Sequence, residues 1–262
     1  MISQLTLIDL KRALGQKGCP ICRLRAETEE RYLGHVLWEN INDLATRTRF
    51  LPSWGYCVLH ARLLGRLELK DYHDAMGTAI MYESLVQQLK NQLDRIQAEA
   101  AQYQAPRWAR IFPIPWRRAR QAPAVLLAPT SGCYVCEIGK TSAGYVLEGL
   151  LEGLAGKEAD ILDRYQASDG LCLAHLSSAL AQTHLPGSQA GVILVEHVQK
   201  RMAALQARLS EYIRKRGWDA RAERSTPEEY ASWSEAIAFF SGGLIEDVPQ
   251  ENPESNKKRG VK

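Results

Sequence analysis

The sequence lacks the features of a membrane-spanning, exported or disordered protein. No segment contains 18 consecutive apolar residues, the length at which a run becomes a candidate membrane helix. Near the N-terminus, Asp9, Lys11 and Arg12 interrupt the apolar stretch that an export signal requires. Hydrophobic residues make up 45% of the chain and charged residues 24%, which is ordinary for a globular protein. These absences predict a soluble, cytoplasmic protein.

Neither the net charge nor any catalytic motif indicates an activity. The net charge of +3 is small, so it neither demands nor excludes a polyanionic partner. The sequence contains no recognisable acid–base pair, nucleophile triad or phosphate-binding loop. Enzyme activity is therefore uncertain, and a non-catalytic protein is favoured.

All six cysteines, together with two of the six histidines, form one pattern that is written twice. Each copy has a Cys-x2-Cys pair followed by a Cys-x2-His pair, and the copies are offset by 114 residues at the first pair and 115 at the second. Three thiolates and one imidazole per copy complete a tetrahedral metal shell. The predicted ligands are Cys19, Cys22, Cys57 and His60 in the first copy, and Cys133, Cys136, Cys172 and His175 in the second.

Zinc is the favoured metal, with two ions per chain, and a [4Fe-4S] cluster with one histidine ligand is the alternative. Disulfides, dithiol redox pairs and buried free thiols also stay open. Haem attachment is disfavoured because Arg23 and Glu137, rather than histidine, follow the two Cys-x2-Cys pairs. Four protein ligands leave no open position for water, which is typical of a structural zinc site rather than a catalytic one.

Apolar residues recur at helical spacing and strand-like alternation is almost absent, so we predict an all-α fold of two duplicated helical repeats. The first repeat covers residues 1–104 and the second covers 131–243. Residues 105–130 contain five prolines and form a linker, and the polar tail 244–262 is predicted to be disordered.

Within the repeats, apolar stripes predict long helices over Leu85–Tyr103 and Val195–Tyr212. A last helix is predicted to begin after Thr226, which suits the N-cap position. Glu83 and Glu196 precede the two stripes at nearly matching positions and are candidates to orient the ligand histidines. A salt bridge within a helical core would explain the two glutamates equally well.

The linker is both basic and aromatic. Such a mixture can stack bases, contact phosphate or lie on an anionic membrane, or it can simply be a solvated connector whose tryptophans pack on a neighbouring helix. Nucleic-acid binding through the linker is therefore a third hypothesis. The first is a non-catalytic zinc protein with an interaction or regulatory role and an unknown protein partner, and its alternative is a thiol-based redox switch or a [4Fe-4S] sensor or electron-transfer protein. The linker residues concerned are Trp108, Arg110, Trp116, Arg117, Arg118 and Arg120.

Duplication permits two pairings of the half-sites. If each copy completes its own site, the loops between the half-sites span 35 and 36 residues, whereas exchange between copies requires loops of 73 and 150 residues. Treated as independent closures, these lengths favour pairing within a copy by about 2 kcal/mol. We therefore predict one ion bound by Cys19, Cys22, Cys57 and His60, and the other by Cys133, Cys136, Cys172 and His175.

The segments GCPICRL, WENIND and GYCVLH resemble an uncharacterised prokaryotic family whose members carry Cys-Pro-x-Cys, a long helix and Gly-Phe-Cys-x2-His, often twice. The resemblance extends over most of residues 5–243, including PEEYASWSEAIAFFSGG. This chain has Tyr56 and Leu171 where the family pattern has phenylalanine, and its second Cys-x2-Cys pair lacks proline. The resemblance implies a helical metal-binding fold and no established activity.

Overall fold

The computed structural model describes residues 4–72, 75–101, 123–157, 159–183, 188–220 and 222–243. Within these ranges the chain is helical and has no strand, so the all-α prediction is confirmed. The α-helices are α1 (Gln4–Leu14), α2 (Pro20–His35), α3 (Leu44–Phe50), α4 (Val58–Leu67), α5 (Met76–Ala101), α6 (Pro123–Leu127), α7 (Tyr134–Glu152), α8 (Ala159–Ala167), α9 (Leu173–Gln182), α10 (Gln189–Arg216) and α11 (Pro227–Ser241).

The long apolar stripes predicted the two longest helices correctly. Helix α5 has 26 residues and α10 has 28, and they contain the described parts of the predicted stripes. Helix α11 begins after Thr226 as predicted. Thr226 is its N-cap, and the Thr226 hydroxyl accepts a hydrogen bond from the Glu229 N–H at 3.2 Å. The Glu229 carboxylate accepts in return from the Thr226 N–H at 2.9 Å, which completes a capping box.

The chain folds as two compact units. The first unit consists of Met1–Glu27 and Lys140–Lys262, and the second of Thr28–Gly139. The unit boundaries fall inside α2 and α7, so each of these helices contributes residues to both units. The units do not follow the two sequence copies, and the duplication itself stays a prediction.

The core of the first unit is built from the apolar faces of α1, α2, α7, α8, α9 and α10. Leu10, Ile21, Leu150, Tyr165 and Leu194 are all fully buried in it. A buried aliphatic or aromatic side chain contributes about 1.5–3 kcal/mol relative to an exposed one. This unit therefore has a hydrophobic core that does not consist of metal ligands alone.

The second unit has two smaller clusters of buried side chains. Leu33, Leu64 and Val135 belong to one, and Phe50 and Met81 belong to the other. In the second cluster the Phe50 ring meets the rings of Tyr56 and Tyr82 edge to face, with centroids 5.0 and 5.5 Å apart. Among the described helices of the whole chain, none is both long and apolar enough to cross a membrane.

Candidate metal centres

The structure brings the eight predicted ligands together in two clusters, and each cluster offers three sulfurs and one imidazole. All four donor atoms of a cluster lie within 4.8 Å of one another. We name each cluster after its first cysteine. The Cys19 site contains Cys19, Cys22, Cys172 and His175, and the Cys57 site contains Cys57, His60, Cys133 and Cys136.

In the Cys19 site the imidazole faces the sulfurs through its Nδ1 atom. The distances from His175 Nδ1 to Sγ are 3.5 Å for Cys19, 3.3 Å for Cys22 and 3.2 Å for Cys172. The Sγ atoms of Cys22 and Cys172 are 3.6 Å apart. All four residues belong to the first unit.

The Cys57 site repeats this geometry within the second unit. The distances from His60 Nδ1 to Sγ are 3.2 Å for Cys57, 3.5 Å for Cys133 and 3.4 Å for Cys136. The Sγ atoms of Cys57 and Cys136 are 3.7 Å apart.

These distances fit four ligands around one tetrahedral ion. With metal–sulfur bonds of about 2.3 Å and metal–nitrogen bonds of about 2.0 Å, a tetrahedron places two sulfurs about 3.8 Å apart and sulfur about 3.5 Å from nitrogen. One sulfur pair of each cluster is 3.6 or 3.7 Å apart, the remaining sulfurs lie within 4.8 Å, and the sulfur–nitrogen separations are 3.2–3.5 Å. Each cluster could therefore hold a metal ion.

Helix starts position half of each ligand set. Cys57 is the N-cap of α4 and Cys172 is the N-cap of α9, so each Cys-x2-His pair lies at the start of a helix. The histidine then lies in the first helical turn, where its Nδ1 reaches the sulfur of the N-cap cysteine. Gly55 and Gly170 precede these caps with φ of 92° and 67°, a left-handed conformation that glycine adopts without strain.

The crowded sulfurs perturb one another's ionisation. A hydrogen bond between Cys19 and Cys172 raises the pKa of Cys19 and lowers that of Cys172, because one sulfur keeps the proton that the other accepts. Burial opposes ionisation of Cys57, but hydrogen bonds from the His60 backbone N–H and from Cys136 outweigh it and lower the pKa of Cys57 to about 7. Burial, followed by the hydrogen bond to Cys57, raises the pKa of Cys136 to about 12. A bound cation would favour the thiolate form of all three cysteines in a cluster.

The imidazole of the Cys57 site has a carboxylate behind it. Glu29 Oε2 lies 3.2 Å from His60 Nε2, and both side chains are largely buried. When Nδ1 binds a metal ion, Nε2 carries the proton and is placed to donate a hydrogen bond to Glu29. This carboxylate–histidine pair fixes the ring orientation and the tautomer, as in many metal sites.

Gly139 provides the space that Glu29 occupies. A Cβ atom at position 139 would lie 2.0 Å from Glu29 Oε1 and 2.7 Å from its Cδ, so any larger residue would displace the carboxylate. At the offset of 114 residues, the positions that correspond to Glu29 and Gly139 are Ala143 and Arg25. The matching positions of the Cys19 site therefore have neither the carboxylate nor the glycine.

Replacement of Glu29 by glutamine should weaken metal binding at the Cys57 site alone. Glutamine keeps the size and an acceptor oxygen but removes the charge, and loss of such a partner costs about 10- to 100-fold in metal affinity. Competition with a chromogenic chelator measures this change. The matched control is Glu30→Gln, because Glu30 is the exposed neighbour on the same helix. Equal weakening by both variants would contradict the assigned role of Glu29.

The predicted pairing of half-sites is wrong. Each Cys-x2-Cys pair meets the Cys-x2-His pair of the other copy, so the sites do not consist of Cys19, Cys22, Cys57 and His60 or of Cys133, Cys136, Cys172 and His175. The predicted pairing assumes that the two loops close independently. In the exchanged arrangement, however, the loop closed by the Cys57 site lies inside the loop closed by the Cys19 site. Once the Cys57 site has closed, the outer loop consists only of the 35 residues before Cys57 and the 36 residues after Cys136. The preference for pairing within a copy then falls to about 1.2 kcal/mol.

Packing outweighs this remaining preference. Ile21, between the cysteines of the first pair, and Leu171, which precedes Cys172, are fully buried in the same core. Val135 and Leu64 share a core at the other site. Each such side chain contributes about 1.5–3 kcal/mol when buried. In addition, α2 continues from Cys22 to His35, so about 20 Å of helix follows the first Cys-x2-Cys before the chain reaches the rest of its copy.

The other residues singled out in the sequence do not reach the two sites. Glu83 and Glu196 have exposed side chains, and Glu29 rather than Glu83 contacts His60. Sequence reasoning missed Glu29 because it required recurrence in both copies, and Glu29 does not recur. Most of the linker and the whole tail, from 102 to 122 and from 244 to 262, lie outside the described residues, so the nucleic-acid hypothesis stays a prediction.

Comparison with known proteins adds a family but no activity. No curated protein and no solved structure matches the chain. Residues 1–237 match a family of unknown function, DUF6062, which agrees with the resemblance carried by the duplicated cysteine motifs. Since this match covers most of the sequence and both clusters, the chain belongs to the DUF6062 family.

Proposed function

We propose that the protein binds two zinc ions as structural centres and acts, without catalysis, as an interaction or regulatory module. The observation that carries this proposal is the donor set of each cluster, in which three sulfurs and one Nδ1 have the separations of a single tetrahedral shell. Zinc accepts this mixture of thiolate and imidazole in four-coordinate structural sites. Four protein ligands leave no position for a reactive water, which favours a structural role over hydrolysis.

The compact clusters favour one ion over an iron–sulfur cluster. In a [4Fe-4S] cluster each ligand binds a different iron, so the ligand atoms stand farther apart than around one ion. Here all four donor atoms lie within 4.8 Å of one another. Free thiolates at ligand spacing also suit a reducing compartment, which supports a cytoplasmic location.

Exposed apolar side chains on the second unit support an interaction role. Trp38 is 72% exposed, Leu69 76% and Met76 63%, and Trp38 and Met76 line the same shallow groove. Contiguous exposed apolar patches, rather than single exposed side chains, are typical of surfaces that bind other proteins. The partner that this surface supports is a protein with an apolar docking segment.

Metal analysis of the purified chain tests the proposal. Protein prepared without added metal should contain about two zinc ions per chain by inductively coupled plasma mass spectrometry, since each cluster completes one shell. Its X-ray absorption should show three sulfurs and one nitrogen per zinc. A brown protein that contains iron and sulfide would contradict the assignment of zinc, and a metal-free, fully folded protein would contradict the structural role.

A further inference from the structure

The two metal sites differ in how well their sulfurs are covered. In the Cys19 site, two of the three sulfur-bearing residues are buried, with Cys19 4% and Cys172 2% exposed, and the histidine is partly exposed. In the Cys57 site the burial is reversed, because His60 is 3% exposed and all three cysteines are partly exposed. Reagents in solution therefore reach the cysteines of the Cys57 site more easily than those of the Cys19 site.

The end of α11 covers the third sulfur of the Cys19 site. The backbone N–H of Gly243 donates a hydrogen bond to Cys22 Sγ at 3.3 Å. A Cβ atom at Gly242 would lie 3.5 Å from Cys172 Sγ and 3.6 Å from Cys22 Sγ, so Gly242 faces both sulfurs with room for no more than a small side chain. A hydrogen bond to a thiolate withdraws electron density from sulfur and reduces its nucleophilicity, and the backbone limits approach to Cys22 from that side.

The Cys57 site has the opposite electronic environment. Glu29 places a carboxylate 3.2 Å from His60 Nε2, which makes the imidazole a stronger donor and adds one negative charge next to the site. Three thiolates, one divalent ion and this carboxylate sum to a net charge of about −2, against about −1 for the Cys19 site. More electron density on the sulfurs of partly exposed cysteines increases their reactivity toward oxidants.

We infer that the Cys57 site is an oxidant-responsive site, whereas the Cys19 site is a stable structural centre. The inference rests on the proposed function, because it assumes that both sites hold a metal ion. The oxidant class is a hydroperoxide such as hydrogen peroxide. The product is a disulfide between Cys57 and Cys136, whose Sγ atoms are 3.7 Å apart.

The reaction balances with one peroxide for each disulfide. One thiolate attacks the O–O bond and forms a sulfenic acid, while the leaving hydroxide takes up a proton and becomes water. The second thiolate then attacks the sulfenic sulfur, and the displaced hydroxide also becomes water. Two thiolates, two protons and one hydrogen peroxide thus give one disulfide and two waters, and the sulfurs lose two electrons. Cys133 and His60 alone are left as ligands, which is too few to retain the ion.

The test compares the two sites inside one protein. Metal content is measured first, and a chromogenic chelator then follows metal release during exposure to hydrogen peroxide. We expect one of the two ions to be released at least about tenfold faster than the other, since exposure and electron density both favour the Cys57 thiolates. At half release, non-reducing peptide mapping should find Cys57 joined to Cys136, with Cys19, Cys22 and Cys172 still reduced.

Two matched variants assign the phases of release. Cys172→Ser disables the Cys19 site, and its remaining ion should be released at the fast rate. Cys57→Ser disables the Cys57 site, and its remaining ion should be released at the slow rate. If either variant fails to fold, the other variant and the peptide map of the unmodified protein still decide the question.

The outcomes separate the inference from the proposed function. A chain without metal before peroxide is added would overturn both. A chain with two ions that are released at the same rate would overturn the inference alone. Oxidation that begins at Cys22 and Cys172, or no release at all while the fold persists, would also overturn it.

Discussion

Removal of both metal ions by a strong chelator should lower the melting temperature substantially without abolishing the helices. Structural zinc supplies about 10–16 kcal/mol of apparent binding free energy in small finger peptides, where it is also folding free energy. This chain differs from such peptides because its first unit buries Leu10, Ile21, Leu150 and Leu194 in a core of its own. The core should hold part of the helical structure together after the ions are removed.

Circular dichroism measures both parts of this prediction. The far-ultraviolet signal of the chelated protein should retain helix, while the thermal transition moves to lower temperature and broadens. Addition of zinc back to the protein serves as the control and should restore the original transition. Complete loss of helix would show that the cores are weaker than their burial indicates, and an unchanged melting temperature would contradict a structural role for the ions.

Replacement of Tyr165 by alanine should destabilise the first unit by about 3–5 kcal/mol, the range measured for large aromatic residues in protein cores. Tyr165 is fully buried, and its ring lies 4.7 Å from the ring of His197. Truncation would remove these contacts and leave a cavity next to Leu171. Urea unfolding of the metal-loaded protein measures the loss.

The conservative variant Tyr165→Phe distinguishes the contribution of the ring to stability from that of the hydroxyl. In the part of the chain that the structure describes, the buried Tyr165 hydroxyl makes no hydrogen bond of good geometry, although the Leu171 backbone lies near it, so its removal should change stability by less than about 1 kcal/mol. Phenylalanine also stands at the corresponding position of the first copy, Phe50, where it packs against Tyr82. A large loss of unfolding free energy in Tyr165→Phe would show that the hydroxyl makes a stabilising hydrogen bond.

The sequence predicted which residues gather at the sites because the chemistry is local to each motif. A Cys-x2-Cys pair or a Cys-x2-His pair places two donor atoms within reach of one ion whatever the rest of the fold does. Helical periodicity likewise predicted α5 and α10, since an apolar stripe is a property of one segment. These features needed no knowledge of tertiary contacts.

The pairing of the half-sites could not be predicted from local sequence patterns. It depends on which helices share a core, and a chain-entropy difference of about 1–2 kcal/mol is smaller than the burial of two side chains such as Ile21 and Leu171. The role of Glu29 also depends on a tertiary contact, because its carboxylate fits only where Gly139 leaves space. A single unrepeated glutamate in a helix rich in charged residues gives no signal in sequence.

The exchange of half-sites between the two copies can be tested by the metal content of two double variants. If Cys19 and Cys172 bind one ion, the variant Cys19→Ser/Cys172→Ser loses that site and should retain about one zinc per chain. The variant Cys19→Ser/Cys57→Ser damages both sites and should retain almost none. Pairing within each copy would reverse the two results, so a Cys19→Ser/Cys57→Ser protein that keeps one tightly bound zinc would contradict the exchange.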